Sequence, residues 1–199
     1  IIGNITRWYE RGIYFAPSTP PLPGMLFYGV NQLTGYAGNG YFMNMRNSSF
    51  NNYHYVSFRV LPAFLSALSA PMAYITQRFM GCSKQSAAVA AVLMSADPLL
   101  ITSSRQIQPN GIEHFFTSLA ILVASFCMRY NNRFFIVLFG MIIGCLFCCQ
   151  TNLAVINILI IPSLVNRKSV CAFVGSVLIS IYLIFSAHFS LAMYKPDEM

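Results

Sequence analysis

The feature that most constrains this chain is a succession of long apolar runs that begins at Tyr55 and continues almost to its end, interrupted only by short polar connections. Runs near 56–78, 86–103, 111–128, 134–149, 153–165 and 170–190 approach the roughly 20 residues that a helix needs to cross a bilayer. The shorter ones require tilted or partly buried helices. In hydrocarbon a backbone must satisfy its own hydrogen bonds, and helices do so within one segment. Charged residues make up 9% of the chain, against about 25% in a soluble domain. The expected fold is therefore all-α: a polytopic membrane protein with about six transmembrane helices, a lumenal surface helix and loops.

Residues 1–55 are of a different kind and are read as a lumenal loop with an interfacial helix, ahead of a transmembrane bundle over 56–190 and the start of a second lumenal loop over 191–199. Trp8 and many tyrosines fall here, as aromatics do at headgroup level. Two glycosylation sequons, at Asn4 and Asn47, can be used only on the lumenal side. Pro20 to Val30 is apolar but too short to span, which predicts a helix lying along the membrane surface. Ile1 opens no signal-peptide pattern, and the chain reads as a fragment that lacks at least one upstream helix.

The net charge of +7 raises the question of nucleic acid. The positives, however, stand singly or in pairs between apolar runs rather than on one soluble face, so no nucleic-acid partner is expected. They fit orientation instead. With residues 1–55 lumenal, the cytosolic connections carry Arg78 and Lys84, Arg129 and Arg133, and Arg167 and Lys168, as the positive-inside rule requires. Glu10, Asp97, Glu113, Asp197 and Glu198 all fall on the other side.

Charge returns between two apolar runs in Asp97 to Phe116. Pro98, Pro109 and the Asn110-Gly111 pair exclude one uninterrupted helix, so the stretch is read as a hairpin between two membrane helices. Ionisable groups at such depth need a ligand, a partner charge or a watery cavity. Gln150, Thr151 and Asn152 add a polar cluster at the same end, readable as a turn or as part of a cavity. Cys145-x-x-Cys148-Cys149 lacks a second Cys pair or paired histidines, so it is read as packing thiols, with no metal. Gly140-x-x-x-Gly144 predicts close helix contact. His54, His114 and His188 are read as interfacial histidines, and Glu10 and Glu113 as solvated loop carboxylates.

In order along the chain, these pieces resemble the protein O-mannosyltransferase family, membrane glycosyltransferases of the GT-C type. Gly3-x-x-x-x-Trp8-Tyr9, running on to Pro20-Pro21-Leu22, is similar to that family's first lumenal loop. Tyr55-Val56-Ser57-Phe58-Arg59 is similar to its Tyr-x-x-x-Arg segment, and Gly81-Cys82-Ser83 to the next cytosolic turn. Asp97, Ser104-Arg105-x-Ile107 and Phe115-Phe116 resemble its hairpin, Gly140 and Gly144 its small-residue helix, and His188-Phe189 the start of its last large lumenal loop. The resemblance implies transfer of mannose from dolichyl phosphate mannose to protein Ser/Thr in the endoplasmic reticulum membrane, by a multi-pass chain that uses no cofactor.

The chain also departs from the family's pattern. The family's Asp-Glu pair would lie just before Ile1. Pro17-Ser18-Thr19 stands where the family has Asp-x-His, Gly24 and Gln150 stand for lysines, and Asn110 stands for an aspartate. Arg59, Asp97 and Arg105 are retained. Inverting transfer to a hydroxyl needs a carboxylate to take a proton and cations to hold the departing phosphate. No catalytic carboxylate is intact here, whereas Arg59 and Arg105 are suited to a lipid phosphate, or to interfacial snorkelling. Asp97, Asn110, Glu113, Gln150 and His188 are the candidate cavity residues. Two readings stay open: a transferase completed by upstream sequence, or a catalytically inactive family member acting as a binding or partner subunit, with a homologous chain as its partner. A channel or transporter component is disfavoured, because polar residues gather at lumenal ends rather than along the middle of spans.

Overall fold

The computed structural model describes residues 8–9, 20–34, 55–130, 132–150 and 170–192, and every regular element among them is helical. In chain order these are α1 (Pro21–Thr34), α2 (Tyr55–Ala67), α3 (Ser69–Phe79), α4 (Lys84–Ala96), α5 (Pro98–Ser104), α6 (Asn110–Tyr130), α7 (Arg133–Phe147) and α8 (Val170–Ala192). The expected spans at 56–78, 111–128 and 170–190 are helices long and apolar enough to cross a membrane, at Val56–Phe79, Asn110–Tyr130 and Val170–Leu191.

The run expected as one span over 86–103 is instead two helices, α4 and α5, bent by 51°. Asp97 is the break. Proline at the first position of α5 cannot extend α4, and the Asp97 carboxylate accepts the Leu99 amide at 2.9 Å, capping α5 as a new start. The fourth run yields only the 15 residues of α7, about 22 Å of helix. The span expected at 153–165 lies outside the described residues. Three helices are thus long enough to span, or four if the bent pair counts as one, and the expected six are not reached among the described residues.

Local chemistry explains the other boundaries. The 56–79 run is divided at Leu68, one turn before Pro71, whose ring nitrogen has no proton for the preceding turn. Gly81, at φ 90°, makes the left-handed turn between α3 and α4, and Ser83 caps α4 through the Ser86 amide at 3.2 Å. Asn132 caps α7 through the Phe134 amide at 3.1 Å.

The core lies where α6 and α7 pack with α8, around Ala120, Val123, Cys127, Ile136, Phe139, Ile143 and Phe173. Gly140 and Gly144 admit α8 closely. A Cβ on Gly144 would fall 2.6 Å from that of Ser180, and one on Gly140 2.8 Å from the Phe173 carbonyl oxygen. Because 140 meets 176 and 144 meets 180, α7 and α8 run parallel. The starts of α2 and α6 and the ends of α7 and α8 therefore share one end of the bundle, and α1 packs across it. Arg78, Lys84, Arg129 and Arg133 occupy the opposite end, where Phe79, Phe126, Tyr130 and Phe135 cluster and the Arg129 guanidinium lies 5.9 Å from the Phe79 ring centre.

Candidate functional site

The α1 face is built on an apolar floor. Phe27 of α1, Phe58 of α2, Ile112 of α6 and Cys149 after α7 are buried together, with the Phe27 and Phe58 rings 6.2 Å apart. Two backbone features draw these segments in. The Leu22 amide donates to the Cys148 carbonyl at 3.1 Å, tying the first turn of α1 to the end of α7. Gly111 lets the first turn of α6 lie against α2, for a Cβ there would stand 2.8 Å from that of Pro62. Cys148 and Cys149 are 1% and 2% exposed, so they pack as small apolar groups; all six cysteines are free thiols.

The polar residues are arranged around this floor. Arg59 is exposed near the start of α2, which packs against α5. Arg105 is the exposed C-cap of α5, and its guanidinium makes no hydrogen bond or ion pair. Asp97 stands at the other end of that short helix, exposed, with its charge acting on His114 of α6. Asn110 begins α6, and its amide donates to Gln108 Oε1 at 3.3 Å. Gln150 follows the buried Cys149 and holds its backbone amide on the Leu146 carbonyl at 2.8 Å. The turn at 105–109 thus brings Arg105, Asn110 and Glu113 to the end of the bundle where Cys149 and Gln150 emerge.

Two residues depart from their sequence reading. Glu113, expected as a solvated loop carboxylate, belongs to the first turn of α6 and is only 7% exposed, because Gly111 and Ile112 seat that turn against α2 and α1. Its carboxyl oxygens still reach the surface, and the group lies within electrostatic reach of the Cys149 thiol. His188, expected at the interface, is 3% exposed beneath α1. Its Nδ1 shares a hydrogen bond of 2.6 Å with the Tyr9 hydroxyl, and the two rings meet edge to face at 5.6 Å. Tyr9 also touches Tyr28, Met25 and Leu191, and burial raises its phenol above the ordinary range. Sequence reasoning met Tyr9 only within the Gly3-x-x-x-x-Trp8-Tyr9 segment and gave it no role of its own, because its partner is 179 positions away. Asn4, Asn47, His54, Glu10 and Pro17-Ser18-Thr19 lie outside the described residues. Among the described residues, no group of three His, Cys, Asp or Glu side chains could hold a metal ion.

Comparison with known proteins matches residues 2–165 to the family described as dolichyl-phosphate-mannose-protein mannosyltransferase. Among curated proteins, the chain is similar to dolichyl-phosphate-mannose–protein mannosyltransferase 1 of Saccharomyces cerevisiae, 33% identical over 60% of this chain and 15% of the relative. It is also similar to protein O-mannosyl-transferase 1 of Mus musculus, 36% identical over 66% of this chain and 17% of the relative. The chain thus spans about a sixth of these relatives. Among solved structures, it is similar in fold to a chain of the S. cerevisiae protein O-mannosyltransferase Pmt1-Pmt2 complex bound to the sugar donor, with a TM-score of 0.72 and 23% identity, covering 97% of this chain and 29% of that one.

Proposed function

This chain belongs to the dolichyl-phosphate-mannose-protein mannosyltransferase family, and on that premise we propose that it forms part of a multi-pass endoplasmic reticulum transferase. That enzyme moves mannose from dolichyl phosphate mannose to protein Ser/Thr hydroxyls, with the α1 face lumenal. The observation that carries the reading is the placement of Arg105, exposed and without a partner acid, on the same end of the bundle as Arg59. A guanidinium there offers a lipid phosphate two parallel N–H donors, and two such groups offset the charge left on dolichyl phosphate as the sugar departs. The proton of the acceptor hydroxyl goes to a carboxylate from sequence outside this chain. In this reading 1–55 and 191–199 are lumenal and 56–190 forms the membrane bundle.

A second reading is favoured by Pro17-Ser18-Thr19, Gly24, Asn110 and Gln150 standing at positions where the resemblance implies charged groups or histidine. In it the chain is an inactive subunit that keeps the phosphate pocket and pairs with a homologue; the solved relative is itself a Pmt1-Pmt2 complex.

Mannose transfer to a Ser/Thr-rich peptide, measured in membranes carrying the full-length gene product, separates the two. Turnover that falls when Arg59 and Arg105 are both replaced by Gln supports a working transferase. Lipid binding without turnover, weakened about tenfold or more by the same pair, supports the inactive subunit. Binding and turnover that ignore both arginines refute the phosphate assignment.

A further inference from the structure

The end of the bundle opposite α1 holds a groove that mannose transfer does not use. There α3 and α6 pack together and end side by side, and between them lies a cavity of about 420 Å³ lined by Phe79, Met80, Ser125, Met128 and Arg129. That volume falls within the roughly 300–1,000 Å³ of ligand pockets. The aromatic wall is held in place, since the Phe79 and Phe126 rings meet edge to face at 4.4 Å. Ser125 is 3% exposed and donates its hydroxyl proton to the Leu122 carbonyl at 2.6 Å, so it offers a ligand no donor. Polar recognition is left to Arg129. Its exposed guanidinium lies 5.9 Å from the Phe79 ring centre and makes no hydrogen bond or ion pair among the described residues. A guanidinium held against a ring keeps the donors along its edge for a second partner. Arg78 is engaged by the Cys82 carbonyl at 2.7 Å, and with Lys84 and Arg133 it adds positive charge at this end. No described carboxylate balances that charge, for Asp97 and Glu113 stand at the other end.

The chemistry narrows the occupant. A soluble anion such as a nucleotide would bury uncharged polar groups against walls that cannot bond them. Hydrocarbon makes no such demand. The ligand that fits has one anionic group at the rim and an apolar body below it, and basic pockets where membrane helices end take lipids of this kind. We propose that the groove between α3 and α6 binds an anionic glycerophospholipid, with its phosphate on the Arg129 guanidinium and the start of an acyl chain along Phe79, Met80 and Met128. Methionine suits that contact, because its unbranched thioether adapts to an irregular chain. The site lies far from Arg59 and Arg105, and it stands whether or not this chain takes part in mannose transfer.

The test uses the full-length gene product in detergent, with lipid binding read by native mass spectrometry. Phosphatidylserine is the probe, and phosphatidylcholine and glycerol 3-phosphate are the comparisons. The parent should hold phosphatidylserine more tightly than either. Arg129→Gln should weaken it about tenfold or more, and Arg129→Lys, which keeps the charge but not the fork, by less. Arg133→Gln removes an equal charge from the same end outside the groove and should change the affinity by no more than about twofold. Met80→Trp narrows the apolar part and leaves every charge in place, so it too should lower phosphatidylserine affinity. Equal losses in Arg129→Gln and Arg133→Gln would mean diffuse attraction to a positive surface and overturn the site. Glycerol 3-phosphate bound as tightly as the lipid would make the ligand a soluble phosphate and overturn it as well, as would phosphatidylcholine held equally well or a parent that retains no phosphatidylserine.

Discussion

Alanine at Gly144 should loosen the packing of α7 on α8 more than its single methyl group suggests. The added Cβ would lie 2.6 Å from Ser180 Cβ and 2.9 Å from the Val177 carbonyl oxygen. Carbon atoms in contact prefer about 3.5–4.0 Å, so the helices must part by roughly 1 Å. The Val177 oxygen belongs to the backbone, and no rotamer change moves it aside. A gap of that size forfeits about a quarter to a half of the dispersion attraction across the seam. The expected cost is about 1–3 kcal/mol, as for other overpacked cores, and it should appear as a lower midpoint in denaturant unfolding of the detergent-solubilised protein. Two further substitutions make the reasoning specific. Ser180→Gly removes the nearest atom, so Gly144→Ala should cost at least about 0.5 kcal/mol less in that background. Gly175, also on α8, has nothing within 4 Å of an added Cβ, and Gly175→Ala should be neutral or stabilising by up to about 1 kcal/mol. If Gly144→Ala unfolds like the parent, or its cost is indifferent to Ser180→Gly, the parallel α7–α8 contact is not as described.

Three other perturbations test separate parts of the fold. Asp97→Ala removes the acceptor of the Leu99 amide and should destabilise α5 by about 0.5–2 kcal/mol, read as faster hydrogen exchange over 98–104, with Asp97→Asn close to the parent. Tyr9→Phe leaves His188 Nδ1 buried without this partner, at a cost of about 1–3 kcal/mol in unfolding. Because burial raises the Tyr9 phenol, its stabilisation is complete below the ordinary tyrosine value of about 10 and is lost as pH climbs through the higher folded value. Ultraviolet titration of Tyr9→Phe should therefore lack only the late part of the alkaline rise. If the α1 face is lumenal, Asn4 and Asn47 should be glycosylated and a sequon introduced beside Lys84 should stay unmodified; the reverse pattern would invert the topology.

Much of this architecture is legible in single residues. Proline after Asp97 announces a break, Gly81 a left-handed turn, and Gly140 with Gly144 a close seam, because each acts through its own backbone. Positive charge at four helix ends, Arg78, Lys84, Arg129 and Arg133, foretells which of those ends share a side. What stays hidden depends on atoms far apart in the chain. Glu113 sits three residues after Asn110 and reads as part of a polar turn, yet Gly111 admits the turn to Pro62 and so covers most of the residue. The burial of His188 is a matter of Tyr9 and α1, and no periodicity in α8 encodes it. The length of α7 is equally invisible, since apolar residues continue past Phe147 while the helix ends there.

That early ending has a consequence for depth. A bilayer's hydrocarbon layer is about 30 Å thick, so a helix of about 22 Å stops some 8 Å short of one surface. The shortfall is roughly the thickness of one helix lying flat, and α1 is the element that roofs this end of α7, bonded to Cys148 and sealed by Phe27. Gln150, which follows this short helix, is then set below the level that the starts of the longer α2 and α6 can reach, and α1 covers the step between them.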